Sequence, residues 1–470
     1  MKFNYIIGKA ILKIALSMPL LFGLKLNAAD CGYPGCEVNA KWRKVANKRI
    51  EKIRKADFTV IVLDHRKQPV KEASVHISMQ RHAFGFGSAV SVWYLTVDSE
   101  DGRKYRETVR RLYNKVTFHG ALRWWNWERS KTGSPESKWN IARTFKALEW
   151  LRQHNIEVRG HYVSLGPIKN RKRIKKPKIF RERLFQHIED KIPTLGNRIA
   201  EWDVINHPVF KGRKINTLWN VFGFHIYVDI VKRTKALNPD ARLYVNEGRI
   251  LVNVRKNRRN AYKKIIRHLK RKGAPIDGIG FMGHFMTGGR LGKSILTSPV
   301  QLWKILDDFA RFGLPIQITE FDISFERNRR KQRAYTAYTL SAQDLKLQAN
   351  YMRDFMTLMF SHPAVEGIVM WGFWEGRHWY PSAALYRKDW SIKPNGQVWE
   401  DLVTKKWWTD VKGKTNTKGT YRTRGFLGNY SVTVTIDSQR KTFLCDLTKE
   451  GVHLEIGLET SFRSQYCNRQ

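Results

Sequence analysis

Acidic residues are scarce in this sequence: 41 Asp and Glu stand against 86 Lys and Arg in 470 residues, a formal net charge of +45. Such a field draws in polyanions and weakens as salt rises. No RNA- or DNA-binding motif accompanies the charge, so nucleic acid is not the expected partner. Acidic glycans or acidic matrix proteins are. Cysteine is nearly absent as well, with Cys31, Cys36, Cys445 and Cys467 lying toward the two ends of the chain. In an oxidising compartment four cysteines permit three pairings. The local pairs Cys31–Cys36 and Cys445–Cys467 are the expected ones, because each pair shares a terminal module. No histidine lies at ligand spacing beside CGYPGC, which argues against a zinc site, and no cofactor is indicated. Long apolar runs are missing after the first. That one, Ile14 to Leu24, is too short to span a bilayer. With lysines before it and Asn27-Ala28-Ala29 after it, residues 1–29 read as a signal peptide. The expectation is a secreted, extracellular protein with no membrane span.

What is present is a large apolar reserve, 42% hydrophobic and 12% aromatic residues, enough for a substantial core. From Asn39 to Asp57 runs a basic helical leader. Phe58 to Leu63 and Ala73 to Met79 then alternate like paired strands around the turn HRKQPV. Short β-branched runs recur near Val116, Val158, Trp202, Leu243, Ile279, Ile316 and Ile368, with helical segments between them. One such segment, Ala261 to Lys272, keeps Ile265, Ile266 and Leu269 on one side. Strands alternating with helices in this way predict an α/β protein with a closed parallel (β/α)8 barrel. After Trp407 the pattern becomes short and alternating, with Asn429-Tyr430-Ser431 as a glycosylation sequon in an expected surface turn. The expected division is a leader and small β element over 30–83, a barrel over 84–405 and a β-rich tail over 406–470.

Two strings carry the chemistry: WDVINH (Trp202 to His207) and ITEFD (Ile318 to Asp322). Each is a short apolar run that ends in a polar residue, as a barrel strand does where it meets its C-terminal loops. A retaining glycosidase needs two carboxyl groups about 5–5.5 Å apart. Here only Glu320 is a carboxylate; His207 stands at the second place. The strings resemble WDVxNE and xTExD of glycoside hydrolase family 10, the retaining endo-β-1,4-xylanases. Further blocks resemble that family in the same order: FGFGSAV (Phe84 to Val90), NKVTFHGALRW (Asn114 to Trp124), RGHYVSLG (Arg159 to Gly166), LYVNEG (Leu243 to Gly248), IDGIGFMGH (Ile276 to His284) and WGFWEGRHW (Trp371 to Trp379).

The resemblance implies a role for each matching position. Glu320 would be the nucleophile, with His284 hydrogen-bonded to it and Asp322 supporting that network. Asn206 would bind the sugar 2-hydroxyl, His161 and Arg123 would contact sugar, and Trp371 and Trp379 would form aromatic walls, while Trp374 is expected in the core. Departures from the pattern cluster in the same region. His207 replaces the acid/base glutamate, His119 and Gly120 replace a Glu-Asn pair, and Arg123 replaces lysine. Leu165 and Gly166 stand for Trp-His, Met282 for glutamine and Glu247 for aspartate. A histidine with an ordinary pKa near 6.5 can donate a proton, but its reach differs from that of glutamate.

Two basic runs follow barrel strands and are expected to overhang the cleft: Asn170 to Arg183, with Arg171, Lys172, Arg173, Lys175 and Lys176, and Glu326 to Arg333, with Arg327, Arg329, Arg330 and Arg333. Arg258, Arg259, Lys263 and Lys264 read as a comparison set on an outer helix. The functional expectation is a secreted homologue of these hydrolases that engages xylan-like β-1,4-linked polysaccharide, with weak or no xylanase activity and a role in binding glycan or extracellular matrix. The alternative is an active retaining endo-β-1,4-glycosidase of altered specificity that uses Glu320 as nucleophile.

Overall fold

The computed structural model describes residues 31–470 except 135, 166, 169–175, 210–215, 253–255, 288–295, 326–339, 438, 458–465 and 468–470. The expected signal peptide at 1–29, Arg171, Lys172, Arg173 and Lys175 of the first basic run and the cations of the second therefore lie outside the described residues; Lys176, Lys178, Arg181 and Arg183 of the first run are described, and Arg181 pairs with Asp229. The chain enters through helix Lys41–Ile53 and strands β1 (Lys55–Leu63) and β2 (Ser74–His82). Eight parallel strands follow in the barrel: β3 (Gly85–Val90), β4 (Lys115–Phe118), β5 (Glu157–Gly160), β6 (Glu201–Asn206), β7 (Arg242–Gly248), β8 (Gly278–Met282), β10 (Ile316–Phe325) and β11 (Val365–Met370). A short β9 (His284–Thr287) lies beside β10. Pairing runs β7-β8-β10-β11-β3-β4-β5-β6, and β7 also pairs with β6, which closes the cylinder. The expected (β/α)8 barrel is present.

Its strands are covered on both faces, and every residue of β3, β6, β8 and β10 is buried. The barrel lumen is filled by side chains. On the outer face of the strands, a Cβ at Gly160 would lie 2.1 Å from the Trp202 ring, so glycine there is what lets Trp202 lie across the neighbouring strand beneath Lys191 of helix Pro177–Leu195. Outside, helix Lys256–Arg271 buries Ile265, Ile266 and Leu269 as its spacing predicts.

The tail supplies β12 (Asp410–Lys414), β13 (Thr420–Phe426), β14 (Gly428–Ile436), β15 (Gln439–Leu447), β16 (Val452–Gly457) and β17 (Tyr466–Cys467). The expectation that β1 and β2 pair with each other is corrected. β1 lies between β13 and β16, whereas β2 lies between β12 and β14 in a second sheet. Alternation shows that one face of a strand is buried; it does not name the neighbour. Both chain ends thus build one module. Phe58 of one sheet meets Tyr430 of the other at 5.4 Å, and an aromatic seam of His82, Phe86, Phe360, Trp407 and Phe426 joins the module to the barrel.

The Cys31–Cys36 disulfide forms as expected. Cys445 and Cys467, the other expected pair, are register partners across β15 and β17. Asn429 sits within strand β14 rather than in a turn, and its side-chain amide donates to Asp446.

Candidate active site

Glu320 lies at the middle of β10 and is 5% exposed. Burial, the largest influence, would raise its pKa. The hydrogen bond donated by His284 and the fields of His161, His284 and His207 overcome that, and hold it at about 2. The carboxylate is therefore ionised at any ordinary pH. His284 Nε2 donates to Glu320 Oε2 at 3.0 Å, and its Nδ1 lies 3.0 Å from Asp322 Oδ1. Burial disfavours the imidazolium, but Asp322 and Glu320 on either side raise its pKa to about 10. Asp322 also accepts from Trp379 Nε1 at 2.6 Å, which ties an aromatic wall to the charge network. Glu320, His284 and Asp322 stand together, in the arrangement that the resemblance implies.

These shifts set a pH window. His284 carries a folded pKa above its ordinary 6.5, so its contribution to stability is complete below pH 6.5 and disappears as pH rises toward 10. Glu320 is depressed below 4.5, so its contribution is complete above pH 4.5 and disappears as pH falls toward 2. Stability from this pair is expected to plateau between about pH 4.5 and 6.5. In His284→Gln the alkaline decline should flatten, and the acidic limb of Glu320 reactivity should move to higher pH. Unfolding midpoints measured across pH 5 to 10 check the first, and an unchanged alkaline decline would contradict it.

On the other side of Glu320, Asn246 Nδ2 reaches Glu320 Oε1 at 3.3 Å and Asn206 Oδ1 at 3.0 Å. Thr319 Oγ1 donates to Asn246 Oδ1 at 2.7 Å and fixes the amide's orientation. Asn246 is a site residue that the sequence reading missed. Its signal in the sequence is its place in LYVNEG, beside Glu247 near the end of a barrel strand; the structure adds that Asn206 is its register partner on β6.

His161 is buried, with Nδ1 2.8 Å from Asp203 Oδ2 and 4.0 Å from Glu320 Oε1. Behind it Asp203 accepts from Arg159 Nη2 at 2.8 Å, Arg159 Nε donates to Glu201 Oε1 at 2.5 Å, and Lys115 Nζ donates to Glu201 Oε2 at 2.9 Å. A buried ionic chain thus runs up the barrel interior to Glu320. Trp371 is 4% exposed and holds His161 at 5.0 Å and His119 at 5.2 Å between ring centres. Trp379 is 42% exposed, as a sugar-facing wall would be. Trp374 is in the core, stacked on Trp390 at 4.6 Å.

His207 begins the loop after β6 with φ +59°, a left-handed conformation that histidine tolerates better than most residues. Its Nδ1 lies 3.3 Å from Glu247 Oε1. Glu247 is fully buried and also accepts from the Val209 and Gly248 amides and from Arg258 Nη1 at 3.1 Å. A carboxylate at Nδ1 makes Nε2 the nitrogen that any proton transfer would use. Arg258 is accordingly corrected from a remote surface charge to a member of this cluster, and Lys263 is paired with Asp308. Arg123 precedes helix Trp124–Thr132; its half-buried side chain acts electrostatically on His119 and Tyr162.

Residues 75–401 match the family model described as Glycosyl hydrolase family 10. The chain is 27% identical to anti-sigma-I factor RsgI6 of Acetivibrio thermocellus, over 85% of this chain and 48% of that protein. It is likewise 27% identical to endo-1,4-beta-xylanase 1 of Arabidopsis thaliana, over 85% of this chain and 38% of that protein. It thus spans half or less of the length of these two relatives. Among solved structures, xylanase 10B from Thermotoga petrophila RKU-1 in complex with xylobiose is 25% identical with a TM-score of 0.56, covering 69% of this chain and 95% of that one. Xylanase 10B from Thermotoga maritima has a TM-score of 0.57 at 23% identity, covering 69% and 96%.

Proposed function

The chain belongs to glycosyl hydrolase family 10, and from that premise we propose that it binds β-1,4-linked, xylan-like polysaccharide through an intact nucleophile-side cleft while hydrolysing unactivated chains poorly. The observation that carries this reading is the contrast across the cleft. Glu320 is ionised, oriented and backed by His284, Asp322 and Asn246, whereas the position opposite holds His207, turned toward Glu247. Retaining hydrolysis needs a carboxylic acid there to protonate the leaving group. Binding needs only the sugar-facing half. The xylanase relatives and the solved complex with xylobiose support the ligand class.

In this reading the protein is secreted and works outside the cell, on the pattern of residues 1–29, and its +45 charge adds affinity for acidic glycans or acidic matrix proteins. The cleft-rim role of the basic runs at 170–183 and 326–333 belongs to the same proposal. A second reading has one observation in its favour. The contact between His207 Nδ1 and the buried Glu247 resembles the carboxylate-oriented histidines that transfer protons in other enzymes, and would make the protein an active endo-glycosidase with an imidazole donor.

Titration calorimetry with linear β-1,4-xylo-oligosaccharides tests the binding claim. Affinity should be measurable in the wild type and fall roughly two- to tenfold in Trp379→Ala, the loss of one aromatic face. No heat at millimolar oligosaccharide would refute it. A mechanism-based fluorosugar separately asks whether Glu320 can attack: covalent labelling of that residue supports a competent first step.

A further inference from the structure

Beside the sugar seat a narrow recess opens between Trp93 and Trp139, lined by His119, Lys138 and Arg377. Among the described residues no carboxylate lines it. The Nε atoms of Arg377 and of the adjoining Arg123 are buried and meet no hydrogen-bond acceptor among the described residues. Orphaned buried donors of this kind are uncommon and call for an explanation. Charge of one sign is also concentrated here. His119 is held at about 3, first by burial and then by the fields of Arg377 and Arg123, and Lys138 is lowered by burial and by Arg377. Like charges gathered without counter-charge raise the free energy of the folded state. An anion bound among them would relieve it.

Two rings in series, Trp371 and His161, link the His119 wall of the recess to Glu320. Trp371 contacts His119 on one side and His161 on the other, and His161 lies 4.0 Å from Glu320. Gly120 contributes to the shape: a Cβ there would meet the Trp139 ring at 3.0 Å, so glycine lets Trp139 lean in as a wall. A recess this narrow between two indoles admits an oxyanion group and not a sugar ring, so a branch would present its carboxylate at the mouth while its own ring stays outside.

We propose that His119, Lys138 and Arg377, with Arg123 behind them, form a subsite for an oxyanion carried on the glycan chain, the carboxylate of a uronic acid branch or a sulfate ester, at or next to the sugar seated over Glu320. Guanidinium and ammonium groups are the donors such oxyanions select, and guanidinium can pair with them bidentately. The proposal rests on the reading that the cleft holds a β-linked sugar chain. It differs from attraction by total charge because it assigns discrimination to three named side chains.

The test uses the full chain and three oligosaccharides of equal length, titrated calorimetrically at 0.15 M salt: neutral xylo-oligosaccharide, the same chain with one glucuronosyl branch, and the same chain with one sulfate ester. At least one anionic form should bind about tenfold tighter than the neutral one, the scale of a charged hydrogen bond. Whichever does so identifies the oxyanion. Arg377→Gln combined with Lys138→Gln should bring that ratio close to one, and Arg377→Lys should keep part of it. Neutralising Arg103 and Arg110 on the outer helix Glu100–Leu112 should leave the ratio unchanged. A ratio near one in the wild type, with the neutral chain still bound, overturns the subsite alone. Equal loss of the ratio in the two variant sets also overturns it, in favour of general charge. If no oligosaccharide binds, the β-glycan reading falls and takes the subsite with it.

Discussion

An aryl β-xyloside with a dinitrophenolate leaving group is expected to be cleaved by the wild-type protein, whereas an unactivated β-1,4-xylo-oligosaccharide should react slower than in an ordinary family member by a factor on the order of 10²–10⁴. The reason lies in which half of the site is complete. Attack needs an ionised carboxylate held in place, and Glu320 is held by His284 at 3.0 Å and Asn246 at 3.3 Å with its pKa near 2. Expulsion of a sugar alkoxide needs a proton; expulsion of dinitrophenolate does not. Glu320→Gln should therefore remove cleavage of the activated substrate, a loss on the order of 10⁴ or more, as for other catalytic residues that act as a unit. His207→Glu should recover only part of the rate on the unactivated chain. A glutamate there would take up a left-handed backbone position and face the buried Glu247 carboxylate, whose repulsion raises its pKa in the direction a general acid requires. Turnover of plain xylan at rates typical of the family would end the binding-first reading and favour the imidazole donor. Undiminished cleavage by Glu320→Gln would remove Glu320 from the mechanism.

Glu201→Ala is expected to be the most destabilising single change in the barrel, costing about 3–5 kcal/mol, the usual penalty for breaking a buried ion pair from one side. Glu201 has no exposed surface and its two oxygens meet Lys115, Arg159 and Arg242. Burial alone would protonate it, but the three cations hold its pKa at about 2. Removing the carboxylate leaves a buried guanidinium and ammonium facing each other. The effect should also reach the site, because Arg159 positions Asp203 and Asp203 positions His161. Urea denaturation measures the stability loss. A cost under about 1 kcal/mol would mean that the network behaves like a solvent-screened surface pair.

Much of the site could be read from the chain because barrel geometry converts sequence position into spatial position. Residues at the ends of successive parallel strands must converge, so Glu320, His284, Asp322, Asn206, His161 and Trp371 were each legible from their strings. Asn246 is less legible, because it shares its string with Glu247 and carries no charge of its own. Its role comes from strand register, which a single string does not display. The ion pair between Arg258 and Glu247 was hidden for a different reason. A basic helix reads as a solvated face, and no periodicity distinguishes the one arginine that turns inward. The partners of β1 and β2 were hidden because strand pairing between chain ends has no local signature.

That last arrangement bears on how the protein is made. Ile61 is paired with Thr420, about 360 residues further along, so at ribosomal rates β1 waits roughly 20–70 s for its neighbour. Throughout that interval two apolar strands, Phe58-Val60-Val62 and Val75-Ile77-Met79, have been synthesised without the partners that later cover their edges. Open edges of this kind invite pairing with other chains. The burden on quality control therefore falls early in the life of the nascent chain, and a lesion anywhere downstream that delays β13 or β14 is felt first as aggregation of the opposite end.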